Sequence, residues 1–236
     1  MAEKGKLYLI PTTLGDSEIA GVIPQRVVEI IGQLDVFVVE NIRTARRYIR
    51  FLHAEKSIDN ITFYELNKHT EAADVSLFLK DIKAGRDVGM LSEAGNPGIA
   101  DPGASIVAVA HANNCQVVPL VGPSSILMAL IASGMNGQNF AFNGYLPIDA
   151  GERSKKLQML EKRSRAENQS QIFMETPFRN PKMLEDVYKS LQASTRLCIA
   201  CDISLKSEFI QTKTIGEWKK KSVNLHKRPA IFIIHA

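Results

Sequence analysis

The sequence predicts an α/β fold in two domains, the first with a mainly parallel sheet and the second with a mixed one. Three observations carry that prediction. Through the first half of the chain, short apolar runs rich in branched residues alternate with amphipathic stretches. In the second half the apolar runs continue, but several are joined by connections too short for a helical crossover. The 236 residues also suffice for two domains of roughly 110 to 120 residues each.

The elements follow in order. Leu7–Ile10, Val36–Val39, Val88–Leu91 and Val117–Leu120 read as buried strands. Helices are expected between them near Pro24–Gln33, Arg43–Leu52, Thr70–Ala84 and Ala104–Asn113. Pro24 suits a first helical turn, and Gly85 suits a helix stop. After Gly122–Pro123 a helix is expected over Ser124–Ser133, closed by Gly134. The rest reads as strand Phe140–Tyr145, helix Arg153–Arg165, strand Gln171–Glu175, helix Pro181–Leu191 and strand Arg196–Ala200. Two further strands are expected near Glu208–Lys213 and Ala230–Ile234. The domain boundary is expected near Val121–Gly122, giving domains 1–121 and 122–236, with no long linker or internal repeat.

Composition narrows the function classes. No run of about 18 apolar residues occurs, which excludes a membrane-spanning helix. The charged start Met1–Lys6 leads into an apolar run too short for a signal peptide, so a cytoplasmic chain is expected. Cys115, Cys198 and Cys201 form an odd set without a disulfide framework. Cys198 and Cys201 make a C-x-x-C pair, but on an expected buried strand and with no second ligand pair, so packing is the favoured reading. His53, His69, His111, His226 and His235 lack ligand spacing, and no metal is expected. The formal charge is +4, with basic residues clustered at Arg43–Arg50, Arg153–Arg165 and Lys219–Arg228. Such clusters suit a polyanion or a solvated face.

The unusual residues fall at expected strand ends, where loops and helix starts present free backbone N–H groups. Pro11-Thr12-Thr13-Leu14-Gly15-Asp16 follows the first strand. Ser92-Glu93-Ala94-Gly95-Asn96-Pro97-Gly98-Ile99-Ala100-Asp101-Pro102-Gly103 follows Val88–Leu91, and Val121-Gly122-Pro123-Ser124-Ser125 follows Val117–Leu120. Glycine and proline at this density shape a backbone with little side-chain bulk against a ligand. The G-x-G-x-x-G and G-x-x-x-x-G-K-[ST] fingerprints are absent, as is a G-x-S-x-G elbow. A phosphate-poor ligand with an adenine-sized apolar part fits these loops better than a dinucleotide or a nucleoside triphosphate.

In order and spacing, Leu7–Asp16, Ser92–Gly103, Val118–Ser125 and Phe140–Pro147 resemble motifs of the tetrapyrrole methylase superfamily, and most of all its branch of ribosomal RNA ribose 2′-O-methyltransferases. The likeness continues through Glu40–Arg47 and Glu175-Thr176-Pro177-Phe178-Arg179, and more loosely through Asp202–Glu208. It implies two α/β domains with S-adenosylmethionine held between them, usually in a homodimer. The family's cofactor contacts carry over to Pro11, Thr12 and Thr13, to Ser92, Glu93, Ala94, Gly95 and Ile99, and to Ser124 and Ser125. They carry over further to Met174, Glu175, Pro229 and Ala230. The implied reaction is methyl transfer to a ribose 2′-hydroxyl of small-subunit ribosomal RNA, with no DNA and no membrane as partner. The open alternatives are a tetrapyrrole-like small molecule, another RNA, or a non-catalytic cofactor-binding regulator.

A ribose hydroxyl is a weak nucleophile and is helped by a base. Glu40, Glu93, Asp101 and Glu175 are the candidates, though any one of them reads more readily as a loop or cap brace, and the sequence singles out none as the base. Arg43, Arg46, Arg47 and Arg50 follow i, i+3, i+4, i+7 spacing and share one helix face, with Ile42, Ala45, Ile49 and Leu52 opposite. That stripe suits phosphate oxygens or plain solvent. Arg153–Arg165 is a second possible tracker of an RNA backbone, or an exposed helix.

Several positions depart from the branch pattern. Thr12-Thr13-Leu14-Gly15-Asp16 stands where T-P-I-G-N is usual; Glu93, Asn96 and Ala100 replace aspartate, threonine and serine; Asn41-Ile42 replaces D-T. These changes preserve backbone shape better than side-chain chemistry. Branch members usually continue into a small helical C-terminal extension, whereas the resemblance here runs to Ala236. The expectation is that the two core domains and a dimer partner grip the RNA.

Overall fold

A computed structural model describes residues 4–66 and 76–236. The chain divides into two compact units, Met1–Pro123 and Ser124–Ala236, so Gly122 and Pro123 belong with the first.

The first unit is built on five parallel strands: β1 (Lys6–Ile10), β2 (Val36–Val39), β3 (Thr62–Glu65), β4 (Val88–Leu91) and β5 (Gln116–Pro119), in the order β3-β2-β4-β1-β5. Its helices are α1 (Ile19–Val22), α2 (Gln25–Gln33), α3 (Ile42–Leu52), α4 (Leu79–Lys83) and α5 (Gly103–Ala112). Strands β2 and β4 are apolar and buried at every position because both faces are covered. Phe37 and Val39 pack with Ile31, Ala45 and Ile49 on one side, while Val36 and Val38 pack with Ile82 and Ile106 on the other. The helix expected over Thr70–Ala84 is described only from residue 76, where α4 occupies its end; residues 70–75 lie outside the described residues. Sequence reading passed over β3, whose residues are only partly buried at the sheet edge.

The second unit carries β6 (Phe140–Tyr145), β7 (Ser170–Glu175), β8 (Arg196–Cys201), β9 (Phe209–Thr214) and β10 (Ala230–His235), in the order β6-β7-β10-β8-β9. Only β6 and β7 run parallel, so the sheet is mixed as expected. Helix α6 (Ser125–Ser133) packs on β8, β9 and β10 and ends at Gly134 with φ +67°. Helices α7 (Ala150–Glu167) and α8 (Asn180–Ser190) and the short α9 (Ile215–Trp218) enclose a core containing Phe173, Phe232 and Trp218.

The basic helix α7 keeps Lys155, Lys162, Arg163 and Arg165 exposed but withdraws Arg153 from its surface. Arg153 is buried against Asp186 and donates to the carbonyls of Pro147 and Ile148 at 2.9 and 2.6 Å. It ties α7 to α8 and to the preceding loop and is closed to an RNA phosphate. Cys198 and Cys201 sit three residues apart on β8 and so face opposite sides of the sheet. Burial pushes both thiols up, Cys201 to about 11, which leaves them protonated packing groups. Among the described residues no helix is long and apolar enough to cross a membrane.

Candidate functional site

In the first sheet the connections leaving β2 and β4 diverge, one to the β3 edge and the other to the β5 edge. Such a divergence leaves a crevice beyond the carboxyl ends of the strands. A hollow of about 70 Å³ lies there, open to solvent, floored by Val39, Ala45 and Leu91 and rimmed by Thr12, Thr13, Glu40, Ser92 and Glu93.

Backbone pairing holds the rim. The Thr12 N–H donates to the Gly95 carbonyl at 2.9 Å, and the buried Ser92 hydroxyl lies 3.3 Å from the same oxygen. Gly95 has φ +72°, a conformation that glycine adopts without a Cβ penalty. The third loop closes on the first: a Cβ on Gly122 would stand 2.1 Å from Pro11 Cβ, so only glycine permits that approach. The Asn96 amide donates to the Pro123 carbonyl at 3.2 Å. Ala94 and Ile99 are exposed.

The carboxylates divide by occupation. Asp101 accepts the Gly98 and Gly103 N–H groups at 2.9 and 2.8 Å and braces its own loop. Burial raises its pKa, against the pull of those two N–H groups. Glu93 accepts the Thr44 hydroxyl at 2.6 Å. Glu40, half-buried at the end of β2, accepts the Glu93 N–H at 3.2 Å. Burial raises its pKa, the Glu93 N–H opposes that, and the Asp101 and Glu93 charges add to it. A small adjoining crevice is lined by both Glu40 and Asp101.

Helix α3 forms one wall. Asn41 caps it, its side chain accepting the N–H groups of Arg43 and Thr44 at 2.9 and 3.2 Å. Ala45 and Ile49 are buried, and Ile42, Tyr48 and Leu52 pack against the same core. The Tyr48 hydroxyl donates to the Pro11 carbonyl at 3.2 Å, and burial raises its pKa well above the usual phenol range. On the outer face Arg43, Arg46, Arg47 and Arg50 line a broad open depression of about 530 Å³.

In the second unit, Glu175 is buried and accepts the Thr176 N–H at 2.6 Å and an Arg179 guanidinium N–H at 2.7 Å. Ala230 lies opposite Glu175, and Ile231 opposite Met174, across β10 and β7. Met174, Glu175, Pro229 and Ala230 therefore gather at one end of that strand pair. Ser124 caps α6, its hydroxyl accepting the Leu127 N–H at 3.4 Å, and Ser125 opens the helix.

Residues 6–219 match the family of Tetrapyrrole (Corrin/Porphyrin) Methylases. The chain belongs to that family. It is 30% identical, over 97% of its length and 76% of the relative's, to the ribosomal RNA small subunit methyltransferase I of Vibrio cholerae. The protein of the same description from Buchnera aphidicola of Schizaphis graminum is 30% identical over 98% of this chain and 78% of its own. Among solved structures, the methyltransferase CobJ superposes with a TM-score of 0.63 at 14% identity, covering 98% of this chain and 94% of that one. A Thermus thermophilus uroporphyrin-III C-methyltransferase complexed with S-adenosylhomocysteine gives 0.56 at 16%, covering 98% and 97%. At such identities the structures speak for the fold.

This methylase is an S-adenosylmethionine-dependent methyltransferase. The first-unit residues fit the donor's chemistry. Among the described residues the hollow is lined by two carboxylates and by no lysine or arginine, which favours a cationic ligand and disfavours a phosphate. The first unit brings Thr12, Thr13, Ser92 and Glu93 together around the hollow, with Pro11 and Gly95 bonded into its rim. Sequence reading missed Asn41, Thr44 and Tyr48. The first has a local signal, an Asx residue ahead of a helix. The bonds of Thr44 and Tyr48 reach residues 49 and 37 positions away and have none.

Proposed function

We propose that this methylase transfers a methyl group to a ribose 2′-hydroxyl of small-subunit ribosomal RNA, working as a cytoplasmic homodimer. One observation carries the reading: α3 separates an acidic hollow suited to a cation from an arginine-lined depression suited to a polyanion. The relatives named for ribosomal RNA methylation support the same acceptor.

S-adenosylmethionine, when bound, supplies a methyl group on a sulfonium that departs as a neutral thioether, so no acid is needed. Pro11, Thr12, Thr13, Ser92, Glu93, Ala94, Gly95 and Ile99 of the first unit are the proposed cofactor contacts. Ser124, Ser125, Met174, Glu175, Pro229 and Ala230 of the second are proposed with them on the family resemblance. The chain's main contribution is placement, because holding two reactants in line removes most of the entropic barrier to their meeting. Glu93 is held by Thr44, Asp101 by two backbone N–H groups and Glu175 by Arg179. Glu40 keeps one carboxylate oxygen unpartnered among the described residues, and its raised pKa brings it nearer to that of a useful base. Glu40 is the proposed acceptor of the ribose proton. Arg43, Arg46, Arg47 and Arg50 are proposed to hold backbone phosphates. Leu127 and Ile131, one turn apart on α6 and 51% and 80% exposed, offer an apolar ridge to a second copy.

The deciding experiment is transfer of labelled methyl to small ribosomal subunits from a strain lacking this gene and from its parent. Labelling of the deletion subunits alone is expected, with the label on a ribose. Equal labelling of both, or labelling of a tetrapyrrole instead, would overturn the RNA acceptor. Failure of both S-adenosylmethionine and its demethylated product to bind in calorimetry would remove the cofactor assignment.

A further inference from the structure

Helix α3 carries an aromatic ring where an RNA-facing surface needs only charge. Phe51, in its last turn, is 68% exposed and lines the depression formed by the four arginines. Arg43, Arg47 and Phe51 follow i, i+4, i+8 spacing along one ridge, and Arg46 and Arg50 stand on the next. From Arg43 to Phe51 the ridge runs about 12 Å, at 1.5 Å per residue.

Among the described residues none of the four arginines forms an ion pair, and Asp59 is the one acid lining the depression. Arg46 is steadied differently, its guanidinium lying 5.5 Å from the centroid of the Phe63 ring. The face is thus strongly cationic and presents one open aromatic surface at its end. A single exposed phenylalanine is common on protein surfaces. This one stands on the arginine ridge rather than on the apolar side of the helix, and it packs into no core cluster.

We propose that Phe51 is a stacking platform for an unpaired base, so that the depression binds RNA in single-stranded form. The inference rests on the RNA acceptor argued above and adds the state of that RNA. A phenyl ring has no group for a phosphate or a ribose hydroxyl, but any base offers it a π face. In a duplex those faces are occupied by neighbouring bases, and phosphates and groove edges are what remain to a protein. Guanidinium groups would track the backbone while the ring, in the last turn of the helix and beyond the residues that line the acidic hollow, holds a splayed base.

The test compares the full-length protein with Phe51→Ala, Phe51→Tyr and Phe51→Trp, using fluorescence anisotropy on a short unstructured RNA and on a hairpin of equal length. Phe51→Ala is expected to weaken the unstructured RNA by on the order of tenfold, the scale of one base–aromatic stack. It should leave hairpin affinity, salt slope and melting temperature unchanged, and Phe51→Tyr should restore binding. Trp218 is fully buried, so Phe51→Trp adds one exposed indole whose emission should be quenched by the unstructured RNA alone. Equal losses on both RNAs, or no loss on either, would overturn the platform. So would unchanged RNA binding with a change in sedimenting mass, which would make Phe51 a contact between copies. If the unaltered protein binds neither RNA, the RNA acceptor itself falls.

Discussion

Glu40 has a cost that can be read by pH. Its folded pKa is raised, so between the unfolded value and the folded one the folded chain holds a proton the unfolded chain has released. Stability therefore falls as pH rises through that window and stays lowered above it. Glu40→Gln keeps an acceptor for the Glu93 N–H and removes the charge. It is expected to raise the melting temperature at pH 7 and to lose that advantage below about pH 4, where the wild-type carboxyl is protonated in both states. If Glu40 is the base, methyl transfer at saturating cofactor should fall at least about a hundredfold, separately from any cofactor affinity lost with one of the two carboxylates that line the hollow; a variant with wild-type turnover would remove Glu40 from that role. Arg153 makes the opposite case. Burial acts to raise Asp186, but Arg153 and Lys182 outweigh it and hold the carboxyl below its usual value. That contribution is present above the ordinary carboxylate pKa and is lost as pH falls through the depressed one. Arg153→Met should cost about 3 kcal/mol, the low end for breaking a buried pair because Lys182 remains 3.2 Å away. Thermal melts should then shift down by about 6 to 12 °C, with RNA binding at matched folded protein unchanged. Sequence periodicity marks Arg153 as one more basic residue on a charged helix. Its burial follows from α8, whose Asp186 lies 33 positions further on, and no local pattern reports that.

The same limit governs what was legible in each element. Val36–Val39 and Val88–Leu91 could be read because a strand covered on both faces has to be apolar at every position. The edge strand Thr62–Glu65 alternates weakly and was passed over, and α9 was missed although Thr214 and Glu217 form a capping box visible in the sequence. The loops after β1, β4 and β5 stood out through their glycines and prolines. Helix α3 was half legible: its arginine stripe follows from spacing, whereas its inward hydroxyls do not. This division gives two predictions for one helix. Replacing Arg43, Arg46 and Arg47 with glutamine should weaken RNA binding and reduce the salt slope by about two, at 0.7 per phosphate of single-stranded RNA. S-adenosylmethionine affinity should be unchanged, because none of the three lines the acidic hollow. Tyr48→Phe should do the reverse. It removes the donor to the Pro11 carbonyl, loosens the first loop, and should weaken cofactor binding by about threefold to tenfold, the worth of one hydrogen bond, with RNA affinity retained. Calorimetry and anisotropy on the two variants decide it: losses of both ligands in both variants would mean that α3 acts as a structural whole, without separate faces.

At the scale of the molecule, the two units carry separate cores and separate reporters. The chain has one tryptophan. Trp218 is fully buried in the second core, with its indole N–H donating to the Leu197 carbonyl at 2.9 Å. Its fluorescence therefore reports unfolding of residues 124–236, while far-ultraviolet circular dichroism reports both units. The first unit's hollow favours a cation through its two carboxylates, and the second unit's contribution is measured independently. A ligand that binds only folded protein stabilises by about 2.7 kcal/mol at a hundred times its Kd. If Ser124, Ser125, Met174, Glu175, Pro229 and Ala230 help hold the cofactor, S-adenosylhomocysteine should raise the urea midpoint read by Trp218 as well as that read by circular dichroism. Trp218 fluorescence alone cannot separate such contacts from cooperative unfolding of the whole chain, so Ala230→Val supplies the second reading. That substitution adds bulk at the β10 end facing Glu175. It should reduce the ligand-induced shift while the Tyr48 bond and the acidic hollow stay intact. A full shift in Ala230→Val, or a wild-type shift confined to circular dichroism, would assign the cofactor to the first unit alone and leave the Glu175–Ala230 end as plain sheet structure.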